Sequence, residues 1–446
     1  MLYPVTIRSS TIVAIFLSTL LLLGCGRTSS LSETQEEADQ ITSGVQSSAT
    51  SVGDEGVINV HDVGSFGNMD APPVIPEETI GPRVLRIAVG AKHTCALDEG
   101  GDVFCWGKNT SYQIGVEGPD KVLIPTKVPG VENAVWLEAN AHHTCAAVRD
   151  GSLWCWGQPG PGQAKQLPKR VQGVKPVRRV WIAADGGVCA KFSDGSNCLS
   201  TAKGGDDSVH WFAGRKHECL AFKDGHVECR GDNTKGQLGN GTLVGSDRRF
   251  QKVAGLPTIR VTKKGTARIG AGRSHSCAAG RKGNVYCWGG NKYGQLGKTT
   301  EQVCGGRKGS VCETKPIQVP GIDDALDVVS RYDHSCARRA SGKLTCWGHA
   351  RYGVLGPKDK DSNTVAGLAA VSQVGLGRTH TCVLMRDGNV RCWGMNTDGQ
   401  CGAGEKTRVK TPSSIAWKAA KPPIKPEGTG PQKESGQKKS TPPGKG

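Results

Sequence analysis

The stretch that decides the fold reads His93-Thr94-Cys95-Ala96-Leu97, then Asp98 to Asp102, then Val103-Phe104-Cys105-Trp106-Gly107. Two short apolar runs flank a Gly-rich segment, which is typical of two antiparallel strands joined by a hairpin turn. The pattern returns in six further units whose first cysteines are Cys145, Cys189, Cys219, Cys277, Cys336 and Cys382. Such internal repetition predicts a solenoid, a ring or an array of similar units.

The second unit shows why each repeat contains two cysteines. Its strands flank the turn Arg149-Asp150-Gly151, and pairing Val148 with Ser152 places Cys145 opposite Cys155. Opposed residues of an antiparallel pair lie close enough for a disulfide. The third unit is one residue shorter, so its turn must differ. The spacing predicts seven hairpin disulfides: Cys95–Cys105, Cys145–Cys155, Cys189–Cys198, Cys219–Cys229, Cys277–Cys287, Cys336–Cys346 and Cys382–Cys392.

A histidine stands two residues before the first cysteine in six units: His93, His143, His217, His275, His334 and His380. Histidine and cysteine together raise the alternative of a metal site, but zinc needs ligands that converge tetrahedrally, often from short Cys-x-x-Cys loops. A structural histidine that bonds backbone in an adjacent turn is the favoured interpretation. We therefore predict no metal and no cofactor.

The amino terminus indicates export. Residues 11–23 form an apolar run that is too short to span a bilayer and suits the core of a signal peptide. The run ends in Leu22-Leu23-Gly24-Cys25, which resembles the lipobox of bacterial lipoproteins. That resemblance implies a signal peptide over residues 1–24 and lipidation of Cys25. By the sorting rule of enteric bacteria, Gly26 after the cysteine implies the outer membrane. An ordinary signal peptide with an incidental cysteine is the alternative.

Two segments outside the repeats are predicted to be disordered. Residues 25–80 are rich in Ser, Asp and Glu and form an acidic tether, and residues 418–446 form a Lys/Pro/Gly tail. The chain as a whole has a net charge of +17, so the repeats between the two segments are strongly basic.

The repeat resembles the regulator of chromosome condensation repeat, in which His-Thr-Cys-Ala-Leu precedes Cys-Trp-Gly and then Gly-Gln-Leu-Gly, as at Gly236–Gly239. The resemblance covers residues 81–417. It implies an all-β, seven-bladed β-propeller of antiparallel four-stranded blades. We expect the first strand, near Val84, and the last, near Trp417, to complete one blade together. The third unit lacks Trp-Gly and Gly-Gln-Leu-Gly, so its blade is predicted to be irregular.

The remaining cysteines and the basic clusters suggest surface features. Cys304 and Cys312 flank a polar insertion and are predicted to pin a surface loop, whereas Cys401 is left over and is predicted to be a buried free thiol.

A basic surface suits an anionic polymer or an acidic protein, with dispersed solvated charge as the alternative. The candidate binding residues are Arg248, Arg249, Arg307 and Lys308.

No motif for a nucleophile elbow, a phosphate-binding loop or a zinc-protease helix is present in the sequence. We therefore predict a non-catalytic scaffold that is anchored to the bacterial envelope by lipid and binds a protein or an anionic polymer, with no nucleic acid. The alternatives are a regulator of guanine nucleotide exchange, which the resemblance suggests, and a secreted enzyme or enzyme inhibitor.

Overall fold

The computed structural model describes residues 81–182, 187–193, 208–261, 269–304, 310–360 and 363–417, and these contain seven antiparallel sheets. Each sheet consists of consecutive strands, which pair in chain order from the first to the last. The described part of the chain is therefore all-β, with one 3-10 turn at Arg351–Gly353. No helix in that part is both long and apolar enough to cross a bilayer.

The sheets are named blades one to seven in chain order, and their strands are numbered along the chain. Blades one and two contain β1 (Val84–Val89), β2 (His93–Asp98), β3 (Val103–Lys108), β4 (Lys121–Lys127), β5 (Ala134–Asn140), β6 (His143–Val148), β7 (Leu153–Gly157) and β8 (Gln166–Arg170). Blades three and four contain β9 (Val177–Ile182), β10 (Val188–Phe192), β11 (Ser208–Ala213), β12 (His217–Phe222), β13 (Val227–Gly231) and β14 (Ser246–Lys252).

The other three blades follow the same scheme. Blade five contains β15 (Ile269–Ala271), β16 (His275–Ala279), β17 (Val285–Gly290) and β18 (Cys312–Gln318), and blade six contains β19 (Ala325–Arg331), β20 (His334–Arg339) and β21 (Leu344–Gly348). Blade seven contains β22 (Val371–Leu376), β23 (His380–Met385), β24 (Val390–Met395) and β25 (Arg408–Ser414).

Two blades depart from four strands. Blade six has an isolated bridge between Thr345 and Thr364 where a fourth strand is expected. Blade three has β9 and β10 in the described residues, and its neighbourhood includes residues 183–186 and 194–207, which are not described.

The hairpin of the second and third strands has the predicted register. In blade two Cys145 pairs with Cys155, and the backbone N–H of Val148 donates to the carbonyl of Ser152 at 3.0 Å. Gly151 closes the turn with φ +86°, a conformation that glycine adopts without penalty. The structure contains disulfides at this position in six blades, with Cα–Cα distances of 4.0–4.1 Å. The predicted Cys189–Cys198 bridge lies outside the described residues, because Cys198 does.

The tryptophan of Cys-Trp-Gly joins neighbouring blades. In blades two, five, six and seven its indole N–H donates to a backbone carbonyl in the Gly-Gln-Leu-Gly-like segment of the preceding blade, as Trp288 does to Gln237 at 3.0 Å and Trp347 to Gln295 at 3.0 Å. The side chains of Trp106, Trp156, Trp288 and Trp393 are fully buried between blades. The core is therefore a series of layers between adjacent sheets rather than one central cluster.

The repeated histidines also connect blades, in a way that the sequence did not predict. Four of the six bond side-chain hydroxyls of the following blade and not backbone. The histidine Nε2 lies 2.8–2.9 Å from the Ser or Thr oxygen in the pairs His93–Thr144, His217–Ser276, His275–Ser335 and His380–Thr94. We call these four pairs the histidine belt. The hydroxyl residue directly follows the histidine of its own blade, so the motif His-Ser/Thr-Cys supplies both partners.

Ring closure differs from the expectation that both ends of the chain share one blade. The first strand belongs to blade one and the last described strand to blade seven, and no described sheet combines them. Closure instead uses side-chain contacts and backbone hydrogen bonds between blades seven and one, such as the Val84 N–H that donates to the Gly388 carbonyl at 3.2 Å. Gln373 of blade seven accepts from the Ile87 N–H at 3.0 Å and donates to the Ile87 carbonyl at 2.8 Å. Trp417 packs edge-on against Phe104, with ring centroids 5.3 Å apart. These contacts satisfy polar groups of blade one without an additional strand.

Candidate binding site at the mouth of the axial channel

The first strands of the blades surround an axial cavity of about 490 Å³. In six blades the pairing of the first and second strands contains a bulge. A bulge changes the direction in which the side chain of the following residue projects. The residues after the bulges differ from blade to blade: Arg86, Trp136, Arg179, His210, Asp327 and Gln373. The repeat thus fixes the backbone here while the side-chain chemistry varies.

Several of these side chains connect adjacent blades. The Arg86 Nε donates to the Leu137 carbonyl at 2.7 Å, and its guanidinium lies 3.4 Å from the Trp136 ring centroid. The Trp136 indole N–H donates to the Val180 carbonyl at 3.1 Å. Burial raises the pKa of the nearby Glu138, although Arg86 and Arg331 oppose that shift. The channel wall is therefore held by specific polar contacts, which makes it a rigid support.

Arg331 crosses the channel. It belongs to β19 of blade six, yet its Nη1 donates to the carbonyl of Val89 in blade one at 2.6 Å and to that of Ala139 in blade two at 3.1 Å. Both acceptors lie near the end of their first strand, where the chain turns into the second strand. Arg331 consequently bridges the channel close to this opening.

The loops between the first and second strands surround the same opening and are bonded to one another. The N–H groups of Arg273 and Arg378 donate to the carbonyls of Tyr332 at 2.6 Å and Ala91 at 2.9 Å. The Arg215 N–H donates to the Gly272 carbonyl at 3.3 Å, and the Ala91 N–H to the Ala141 carbonyl at 2.9 Å. These backbone bonds between consecutive blades fix the positions of the loops.

One position of these loops, two residues before the repeated histidine, is basic in three blades. It holds Arg215 in blade four, Arg273 in blade five and Arg378 in blade seven, and all three are exposed. Blade six has Tyr332 at this position, next to Arg331. We call Arg215, Arg273, Arg378, Arg331 and Tyr332 the arginine rim.

The electrostatics of the arginine rim show that its members lie near one another. Burial raises the pKa of Tyr332, and Arg331, Arg378, Arg273 and Arg215 all oppose that shift. Burial likewise raises the pKa of the neighbouring Asp333, whose carboxylate lies 3.7 Å from the Arg273 guanidinium. The four arginines of the rim therefore have more positive charge than the nearby carboxylates of Asp333 and Glu138 offset.

The candidate binding residues from the sequence lie elsewhere or cannot be located. Arg249 is exposed on β14, the outer strand of blade four, away from the arginine rim. The side chain of Arg248, and Arg307 and Lys308 as a whole, lie outside the described residues. The arginine rim was missed. One feature of the sequence could have revealed it. The residue two positions before each repeated histidine is Ala in some units, Arg in others and Tyr in one.

The other predicted cysteines have defined places. Cys304 and Cys312 form a disulfide, and Lys235 of blade four donates to the Cys304 carbonyl at 3.1 Å, which ties the loop to the neighbouring blade. Cys401 is a buried free thiol whose pKa burial raises. Cys25 lies outside the described residues.

One group of potential metal ligands occurs in the described part of the chain. Ligand atoms of His143, Cys145 and Cys155 lie within 4.8 Å of one another. However, Cys145 and Cys155 are joined by a disulfide, so they have no thiolate to offer. These residues do not fit a metal ion in the oxidised protein.

The antiparallel blades, their closure and the axial channel define the class of protein: an all-β propeller, as the sequence predicted. Sequence profiles match parts of the chain. Two profiles, both described as the regulator of chromosome condensation (RCC1) repeat, match residues 84–113, 267–295 and 371–400 in one case and residues 100–147 and 282–338 in the other. The chain therefore carries regulator of chromosome condensation repeats, and the predicted resemblance is confirmed.

Curated relatives share these repeats over part of their length. The ultraviolet-B receptor UVR8 of Arabidopsis thaliana is 27% identical over 278 residues, which are 62% of this chain and 55% of the receptor. The probable E3 ubiquitin-protein ligase HERC6 of Homo sapiens is 25% identical over 288 residues, which are 62% of this chain and 24% of the ligase. This chain thus spans about half or less of the length of these relatives.

Solved structures give low-identity matches. Prp20p of Saccharomyces cerevisiae is 20% identical with a TM-score of 0.44, and the match covers 75% of this chain and 77% of Prp20p. The ectodomain of the receptor kinase ACR4 of Arabidopsis thaliana is 18% identical with a TM-score of 0.42, and the match covers 69% of this chain and 96% of the ectodomain.

Proposed function

We propose that this protein is an exported, lipid-anchored β-propeller that acts as a non-catalytic, protein-binding scaffold at the bacterial cell envelope, with the outer membrane as its site. The observation that carries the proposal is the arginine rim. Exposed arginines and a tyrosine surround the axial opening, and arginine and tyrosine are the residue types that dominate binding energy at protein interfaces.

The architecture supports a binding role because the rim is preorganised. The loops are bonded to each other through their backbones, and disulfides lie behind them in six blades. A surface that is already ordered loses less conformational entropy when a partner binds. Rigid propeller loops are therefore better suited to recognition than flexible ones of the same composition.

The disulfides support export. Six hairpin disulfides and one loop disulfide occur in the described residues, and such bonds persist in oxidising compartments. Together with the apolar amino-terminal run and the lipobox-like sequence at Cys25, they favour an extracytoplasmic protein that is attached to a membrane. Several acyl chains on one terminus give stable attachment, whereas a single chain does not.

Labelling with a palmitate analogue, followed by membrane fractionation, tests the anchor. The native protein should be labelled and should sediment with the outer membrane, and Cys25→Ser should be neither labelled nor membrane-bound. Label that remains on the serine variant would show that the lipid is elsewhere.

Site-specific photo-crosslinking in living cells tests the scaffold role. A photoreactive residue at position 332 should capture a protein partner, and the same residue at position 281, in a turn at the other end of blade five, should not. Equal capture from both positions, or from neither, would contradict a partner-binding face at the channel mouth.

A further inference from the structure

We propose that the arginine rim is a binding site for an acidic polypeptide segment, with the carboxylates against Arg215, Arg273 and Arg378 and the rest of the segment against Tyr332. This inference rests on the proposed scaffold function and names the chemistry of the partner. Three independent features of the rim support it.

The first feature is that the fold does not require Arg215 and Arg378. The equivalent positions of blades one and two are Ala91 and Ala141, and those loops make the same kind of backbone bond to a neighbouring blade. In the described residues Arg215 and Arg378 have no ion-pair partner, and both are exposed. Arg215 and Arg378 therefore have no structural role in the propeller that alanine would fail to fill, whereas Arg273 lies 3.7 Å from the Asp333 carboxylate.

The second feature is the backbone conformation of Tyr332. Arg331 pairs with His334, so Tyr332 and Asp333 form a two-residue turn, and Tyr332 has φ +51°. Such turns favour Asn or Gly at this position because a side chain is strained there. Ala141 has φ +43° at the equivalent position of blade two, so the conformation belongs to the turn, and the turn does not require a tyrosine ring. A bulky residue in this strained conformation points to a role other than turn formation.

The third feature is the spread of charge. The arginines belong to blades four, five and seven with Tyr332 between them, so the positive charge follows an arc of the rim. An arc of separate guanidiniums matches a row of carboxylates, each of which can accept two parallel hydrogen bonds, better than one compact ion. Arg331 bridges the channel beneath, which directs a ligand along the rim and not into the channel.

A polypeptide fits the rim better than a nucleic acid does. Proteins that bind single strands combine a basic groove with several aromatic side chains, on which successive bases stack. The arginine rim has one aromatic ring. One tyrosine among arginines is, by contrast, a common composition for the centre of a protein interface.

The test uses the full chain and a fluorescein-labelled peptide of ten glutamates, followed by fluorescence anisotropy at several salt concentrations. The rim variant Arg215→Gln/Arg273→Gln/Arg378→Gln should bind at least tenfold more weakly than the native protein. The matched control is Arg149→Gln/Arg281→Gln/Arg386→Gln, which removes three exposed arginines from the turns between second and third strands, at the other end of the blades. The control should change the affinity by less than twofold, and equal losses in both variants would overturn the proposal.

Tyr332→Asn provides a second readout. Relief of the strained turn should raise the melting temperature, while loss of the ring should weaken peptide binding at least threefold. A variant that is more stable and binds the peptide as well as the native protein would show that Tyr332 has no part in the site.

Competition separates the ligand classes. The competitors are a ten-residue thymidine DNA and inorganic tripolyphosphate, each added at a concentration that supplies the same total negative charge as the unlabelled peptide. Both should displace the labelled peptide poorly. Displacement as effective as that by unlabelled peptide would overturn the assignment to a polypeptide. If the peptide fails to bind but crosslinking at position 332 still captures a protein, the inference fails and the proposed function stands. If neither occurs, the proposed function fails as well.

Discussion

The histidine belt makes the stability of the propeller dependent on pH, and His217 shows why. The Ser276 hydroxyl donates to the Gln237 carbonyl at 3.2 Å, so it must accept from the His217 Nε2, which lies 2.9 Å away. The His217 Nδ1 is buried without a partner, and a second proton there would create an unpaired buried charge. Burial accordingly lowers the pKa of His217 from 6.5 to about 4.

The sign and size of the effect follow from proton binding. Between the two pKa values the unfolded chain binds a proton that the folded protein does not bind. The contribution of His217 to stability is therefore complete above pH 6.5 and is lost as the pH falls toward 4. For such a shift, lowering the pH from 7 to 5 costs about 2 kcal/mol of unfolding free energy for this one group.

Urea unfolding followed by tryptophan fluorescence at pH 7, 6 and 5 measures this effect. The native protein should become less stable as the pH falls, and His217→Gln should reduce that loss by about 2 kcal/mol, although the variant is less stable at pH 7. His349→Gln is the control, because His349 is only half-buried and its ring lies tilted against that of Tyr293, with the ring centroids 4.4 Å apart. If His217→Gln keeps the full native pH dependence, the assignment of a buried neutral imidazole is wrong.

Two further predictions concern the hairpin disulfides and the closure of the ring. Cys95→Ala/Cys105→Ala opens a loop with a sequence separation of 10 residues and should lower the unfolding free energy by about 3 kcal/mol, measured by urea titration; an unchanged midpoint would exclude a stabilising disulfide. Gln373→Ala leaves the Ile87 backbone groups without their partner and should cost about 1–3 kcal/mol. It should also speed amide exchange at Ile87, whereas Ser372→Ala, which loses only bonds within blade seven, should not.

The local structure of each blade was predictable because a few neighbouring residues determine it. The turn Arg149-Asp150-Gly151 sets the hairpin register, and the register alone places Cys145 opposite Cys155. The number of repeats then gives the number of sheets, since each unit forms its own sheet from consecutive strands. None of these steps requires knowledge of how blades contact one another.

The contacts between blades were not predictable in the same way. The partner of His217 is Ser276, which belongs to the next repeat, and no local rule connects the two. Ring closure failed as a prediction for the same reason. The polar groups of the first strand can be satisfied by a strand from the other end of the chain or by a side chain, as Gln373 does for Ile87. The sequence does not discriminate between these two solutions. The arginine rim was missed because its members become neighbours only when the ring closes.

Differences among the repeats of one chain separate the residues that the fold needs from those that are available for binding. Blade four has Glu218 where units one, two, five, six and seven have Ser or Thr, and it has Arg230 where those five units have Trp. These two departures pair with each other across β12 and β13 and form an ion pair, so one compensates the other and both serve the fold. The changes at Arg215 and Arg378 have no such compensation, because neither arginine has an ion-pair partner among the described residues. In this propeller, the variation at Glu218 and Arg230 is compensated by a neighbouring residue. Where a position varies without such compensation, selection for a ligand can act.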